Sequence, residues 1–146
     1  MENTRAQIIL VNRCFIFNKE NKILLVKRYS EDRKDPNKWE VPGGKLDAGE
    51  DLSVSKKREI VEETGLLIEE IKPLVFANSY IINDGGYKDF TYVSLFSLNK
   101  IIDGKVLLSE EHTEYAWVLY ESLKDFDLTP ETQKAVEVMK DYFLSN

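Results

Sequence analysis

Cysteine and histidine are almost missing from this chain of 146 residues: Cys14 is the only thiol and His112 the only imidazole. A single cysteine excludes an internal disulfide framework and a four-cysteine zinc site. A single histidine excludes a His-x-x-x-His metal site. Long hydrophobic runs are also absent. Ile8–Val11 and Ile23–Val26 have four residues each and no run exceeds six, against the roughly 20 a spanning helix needs, so no membrane partner is expected. Met1–Gln7 carries one arginine among polar residues and does not read as a secretory signal. Positive charge is in short supply, with 20 Lys and Arg against 26 Asp and Glu and a net charge of −6. That balance argues against gripping a long nucleic acid through its phosphates. Repeats, low-complexity stretches and Pro/Gly/Ser linkers are missing too. The expectation is a soluble, cytoplasmic protein of a reducing compartment.

Apolar residues are well represented. Leu, Ile, Val and Phe together make up 45 of the 146 residues, well above the level that marks disorder. The length suits one domain over residues 1–146, with a core of useful size. Ile8–Phe17 is apolar and β-branched and reads as a buried strand. Asn18–Asn21 is a turn, and Lys22–Arg28 returns as the second strand of a hairpin. Tyr29–Lys38 is polar and contains Pro36, which predicts a loop. Lys38–Pro42 reads as a short strand. Asp51–Thr64 lacks glycine and proline, with Asp51 or Ser53 to cap its start and Gly65 to end it, and so predicts a helix. Ile71–Ile82 and Tyr87–Leu98 are strand-like runs joined by the turn signal Asn83-Asp84-Gly85-Gly86. Thr113–Leu119 is a further strand. Thr129-Pro130-Glu131 opens a final helix to about Leu144, with Ala135, Val138, Met139 and Tyr142 at helical spacing. Strands with two helices indicate an α+β or mixed α/β layer fold.

The chemistry concentrates in Gly44–Leu66. On a helix Glu59, Glu62 and Glu63 share one face, and like charges at that spacing repel by a few tenths of a kcal/mol per pair. A bound divalent cation would reverse that penalty, and carboxylate oxygens favour Mg²⁺, Mn²⁺ or Ca²⁺. On the triplet alone a solvated acidic face is the commoner outcome. The loop in front changes the balance, because Gly43-Gly44 lets a backbone carbonyl approach an ion and Glu50 adds a carboxylate at the head of the helix. Two other motifs fail. Gly44 and Gly49 are spaced like a phosphate-cradling loop, but Glu50-Asp51 stands where Lys-Ser/Thr is required. Asp47-Ala48-Gly49 does not supply the alternating acids of a calcium loop.

Gly44 to Leu66 resembles a complete Nudix box, G-x5-E-x7-R-E-U-x-E-E-x-G-U with U aliphatic, and Ile60 and Leu66 fill the U places. With ordinary residue frequencies a chance match in a chain this long is on the order of 10⁻⁷ or rarer. The flanks Trp39–Gly44 and Glu111–Val118 are similar to the family as well. The resemblance implies an α/β/α sandwich around a mixed β-sheet. It also implies Mg²⁺- or Mn²⁺-dependent hydrolysis of a nucleoside diphosphate linked to a further group. Carried over residue by residue, it makes Glu62 and Glu63 metal ligands together with a Gly43 or Gly44 carbonyl. Glu59 becomes a ligand or the base that activates water, and Arg58 orients a box carboxylate. Glu50 supports the loop–helix junction or meets metal through water.

Some members of the family recruit a further glutamate from outside the box. Glu110, Glu111 and Glu114 are the candidates, and Glu111 is favoured by its spacing ahead of Trp117. Arg28 and Lys45 are the expected phosphate contacts. His112 is expected to be an ordinary exposed histidine. Phe76, Tyr80, Phe90 and Tyr92 are core candidates first, with one of them available to stack a base. Cys14 reads as a small buried hydrophobe. Trp39–Lys45 resembles the MutT-like branch, whose members hydrolyse nucleoside triphosphates to the monophosphate and pyrophosphate. The alternatives are hydrolysis of ADP-ribose or another nucleoside diphosphate derivative, and a nucleotide-sensing module without turnover. The expected partner is a small nucleotide. A homodimer is left open, with the N-terminal strand and the Tyr87–Leu98 strand as the edges that pairing could use.

Overall fold

A computed structural model describes residues 5–82 and 89–144. The turn expected at Asn83–Gly86 lies outside the described residues. Seven strands form one mixed sheet: β1 (Gln7–Phe17), β2 (Ile23–Arg28), β3 (Trp39–Glu40), β4 (Gly43–Lys45), β5 (Leu67–Ile81), β6 (Phe90–Asp103) and β7 (His112–Val118). Helix α1 spans Leu52–Thr64, α2 spans Pro130–Val138 and α3 spans Lys140–Leu144, with a 3-10 turn at Tyr120–Asp125. The main path runs β3-β2-β1-β6-β5, with β4 added to β1 and β7 to β2. β1 and β6 are parallel along their whole length, from Gln7 opposite Phe90 to Phe17 opposite Lys100. The other ladders are antiparallel.

Strand alternation builds the layers, because successive side chains point to opposite faces. On β1 and β2, Cys14, Ile16, Leu24 and Val26 go to one face, where Ile60 of α1, Leu66 and Ile68 complete a buried cluster. Phe15, Ile23 and Leu25 go to the other, with Val41, Phe96, Leu98, Leu123, Ala135 and Met139. The expected sandwich of helices on both faces of a mixed sheet is thus what forms, and Cys14 is buried as read.

Several boundaries differ from the sequence reading. Lys38–Pro42 is not one strand: Pro42 separates β3, which pairs with β2, from β4, which pairs with β1. β5 starts at Leu67 and passes through Pro73, which has no ladder partner because the register slips between Lys72 and Phe76. A proline is tolerated there because β5 is an edge strand. The final helix breaks at Met139 into α2 and α3, and Val138 is exposed while Ala135 and Met139 are buried. Of the four strand aromatics, only Tyr92 is fully buried. Of the two edges proposed for pairing, β6 is enclosed by β1 and β5, and β1 is flanked by β6 on one side and, from Val11 onward, by β4 and β2 on the other.

β1 divides its outer flank between two partners. Phe17 faces Ile23 of β2, while Val11–Arg13 face Gly43–Lys45 of β4. Cys14 N donates to Pro42 O at 2.8 Å where the two part. This split lays the Gly43-Gly44 strand across the foot of α1 and creates the opening described next.

Candidate active site

Helix α1 is fixed at both ends by local chemistry. Asp51 accepts from the Ser53 and Val54 N–H groups at 2.9 and 3.2 Å, satisfying donors that have no partner inside the helix. Gly65 ends it with φ 73°, a left-handed conformation that glycine adopts without a Cβ penalty. The loop 105–111 then docks onto this end. Leu107 N donates to Thr64 O at 2.8 Å and Ser109 N to Glu63 O at 3.2 Å. Glu111 is held by its own backbone, its N–H on Ser109 Oγ and its carbonyl accepting from Tyr29 N. Two acids from separate parts of the sequence are thereby brought into hydrogen-bond contact, Glu63 and Glu111.

Both belong to a cleft of about 490 Å³ whose walls also include Glu59, Gly43, Gly44, Lys45 and Asp47. Neither glycine has open space for a side chain, and at Gly43 the obstacle is backbone. A Cβ on Gly43 would fall on the Asn12 carbonyl, and a Cβ on Gly44 would fall on the Glu59 carboxylate. Burial pushes Glu63 far above the usual carboxylate range, and contact with Glu111 pushes it further, against the pull of Arg13 and the Gly43 N–H. Glu59 is raised in the same way, by burial first, with Glu62 and Glu111 adding to it and Arg58 opposing.

Arg58 is the organiser expected of it. Its Nε and Nη2 meet Glu50 at 2.6 and 2.9 Å, and its Nη1 meets Glu59 at 3.0 Å and Glu62 at 3.2 Å. The Arg58 fork, with the Asp47 N–H, holds Glu50 down at about 2. Glu50 therefore braces the loop–helix junction. Glu62 shares the helix face with Glu59, both held by Arg58 Nη1, but it is absent from the cleft wall and its side chain is 57% exposed.

The cleft wall also includes Arg13, Arg28, Lys34, Glu40, Tyr80, Tyr92 and His112. Glu40 is its hub. Arg28 Nη1 donates to both Glu40 oxygens at 3.1 Å, Arg13 lies 3.4 Å from it and His112 Nε2 3.0 Å from it. Burial alone would raise the Glu40 carboxyl. Arg13, the His112 hydrogen bond and Arg28 outweigh that and hold it at about 2. Arg13 is itself raised despite burial, by Glu40, Glu131 and Glu63.

His112 is thus a buried partner of Glu40, not the exposed histidine expected, because β7 turns it inward opposite Arg28. Arg28 and Lys45 both line the cleft, as expected of phosphate contacts, although Arg28 is already committed to Glu40. Sequence reading missed Arg13, Glu40 and Lys34. For Arg13 a signal was present: an arginine inside the apolar run Ile8–Phe17 has to be paired to be buried.

The donor set fits a hard divalent cation: carboxylates pressed together at Glu63 and Glu111, Glu59 alongside, and glycine backbone beneath. Among the described residues no three Asp, Glu, His or Cys side chains already stand grouped to hold an ion. Bringing Glu62 in requires it to leave Arg58. Oxygen-only donors of this kind suit Mg²⁺ or Mn²⁺ over thiolate-seeking metals.

The profile of the NUDIX domain matches residues 10–141. The chain is 30% identical over 132 residues to nucleoside triphosphatase NudI of Escherichia coli K12, covering 86% of this chain and 92% of that protein. Among solved structures, the MutT protein from Methanosarcina mazei Go1 has a TM-score of 0.77 at 24% identity, over 96% of this chain and 98% of its own. The MutT NUDIX hydrolase from Burkholderia pseudomallei has a TM-score of 0.75 at 27% identity, over 90% and 97% respectively. The carboxylate helix, its glycine strand and these likenesses along almost the whole chain agree: it belongs to the Nudix family of hydrolases.

Proposed function

We propose that the chain hydrolyses a phosphoanhydride bond of a nucleoside or deoxynucleoside triphosphate, with Mg²⁺ or Mn²⁺, releasing the monophosphate and pyrophosphate. The observation that carries this reading is the cleft in which Glu59, Glu63 and Glu111 stand with Arg28 and Lys45 in one wall. It is supported by the likeness to a nucleoside triphosphatase.

A polyphosphate is inert in water because its negative oxygens repel an incoming nucleophile. A divalent cation, when bound, would neutralise part of that charge and make the attacking water easier to deprotonate. Glu59, Glu62, Glu63, Glu111 and a Gly43 or Gly44 carbonyl are the groups that would hold it. Water oxygen bonds to phosphorus as the bridging oxygen departs with the leaving phosphate, and the water proton passes to a carboxylate. Glu59 and Glu111 are the carboxylates available for that proton. Arg58 is a positioning residue: its contacts to Glu50, Glu59 and Glu62 fix those groups relative to the helix. Lys45 and Arg28 line the path of the phosphates.

Product analysis over a panel of nucleoside triphosphates, ADP-ribose and other nucleoside diphosphate derivatives in magnesium buffer tests the reading. Monophosphate and pyrophosphate from a triphosphate are expected. Turnover confined to ADP-ribose, or no turnover at all, would overturn it.

A further inference from the structure

The cleft also has an aromatic wall. Tyr80 of β5 and Tyr92 of β6 are cross-strand partners. Their rings stack with centroids 5.2 Å apart and planes 13° from parallel. The Lys34 ammonium lies over the Tyr80 ring, 4.4 Å from its centroid. Tyr80, Tyr92 and Lys34 all line the cleft that holds Glu59 and Glu63.

The two neighbours of Tyr80 are held differently. Tyr92 is set by the ladder between β5 and β6. Lys34 belongs to the loop between β2 and β3, where its carbonyl accepts from Arg28 Nε at 2.9 Å. That contact anchors its backbone, while its ammonium sits at the end of a four-carbon stem and also reaches Asp35 at 2.8 Å. The ammonium can leave the ring and keep its carboxylate.

We propose that the Tyr80 ring is a base-stacking site which Lys34 covers until a nucleotide binds, so that base and ammonium compete for one aromatic surface. This rests on the nucleotide reading above and names the part of the cleft that recognises the base. A cation over a partly exposed ring is worth less than a stacked base, so the exchange runs toward the nucleotide. Stacking is tolerant of base identity because every base has a π-face. The site therefore separates base-bearing ligands from bare polyphosphate more than it separates one base from another.

The test is calorimetric titration of the full chain, in magnesium buffer, with the α,β-methylene analogues of the four ribonucleoside triphosphates and with inorganic tripolyphosphate. Tyr80→Leu is expected to weaken the analogues about tenfold and tripolyphosphate by less than about twofold, while Tyr80→Phe keeps the preference. Lys34→Met is expected to tighten the analogues. Equal losses for analogues and tripolyphosphate, unchanged analogue binding in Tyr80→Leu, or weaker analogue binding in Lys34→Met would each overturn the proposal. If Tyr80→Leu fails to fold, the loop substitution Lys34→Met still decides. The readout is binding, so it separates from the activity. Base-dependent binding without hydrolysis would sink the proposed function and leave this inference standing. Hydrolysis with an indifferent Tyr80 would do the reverse.

Discussion

Replacing Glu40 by glutamine removes one negative charge from a buried site and leaves its shape intact. The Glu40 side chain is 4% exposed, and three cationic or protonatable groups converge on it: Arg28, Arg13 and His112. Removing one partner of a buried charge pair costs about 3–5 kcal/mol, because the other charge stays buried without compensation. The lowered carboxyl leads to a similar figure. Glu40 sits at about 2 instead of its ordinary 4.5, and at 1.36 kcal/mol per pH unit that shift is worth about 3 kcal/mol.

The sign follows from the lowered value. The contribution is complete above pH 4.5 and is lost as pH falls from 4.5 toward 2. Urea unfolding at pH 7 should therefore show Glu40→Gln less stable by about 3–5 kcal/mol, or roughly 10 °C in melting temperature. Between pH 4.5 and 2 the difference between wild type and variant should shrink toward zero. A variant within about 1 kcal/mol of wild type at pH 7, or a gap that does not close in acid, would refute the claim that the Glu40 network holds this wall of the cleft together.

Three further outcomes are expected. Glu63→Gln and Glu62→Gln should each lower kcat by more than about 100-fold while circular dichroism stays native, since both would give up a metal-ligating oxygen. Near-normal rates in either would remove that residue from the ligand set. Gly44→Ala places a methyl on the Glu59 carboxylate. Turnover should fall with it, at a stability loss of about 1–3 kcal/mol read by thermal melting. Chelation with EDTA should abolish hydrolysis and Mg²⁺ or Mn²⁺ should restore it, followed by pyrophosphate release.

Helix α1 was legible because local signals fix both its ends: Asp51 caps it and Gly65 takes the left-handed residue. The hairpin of β1 and β2 was legible for the same reason, since Asn18 Oδ1 accepts from Glu20 N and Lys22 N within the turn itself. What escaped was set by distant partners. The break at Pro42 depends on β1 offering different neighbours above and below Cys14. The parallel pairing of β1 with β6 joins segments about 80 residues apart and leaves no local mark. At the site, helical spacing was enough to group Glu59 with Glu62 and Glu63, and the pairing of Arg58 with box carboxylates followed from the family resemblance. The burial of His112 could not, because it depends on Glu40 being held ionised by two arginines from other strands.

The main chain of the 105–111 loop is bonded directly to the last turn of α1, through Leu107 N on Thr64 O and Ser109 N on Glu63 O. The separation of the two acids is therefore set by chain length, with the Ser109 side chain adding the bond that holds Glu111 N. Inserting or deleting one residue there would slide Glu111 past Glu63 by a full backbone step, about 3.8 Å, and part the two carboxyls that the loop now brings together.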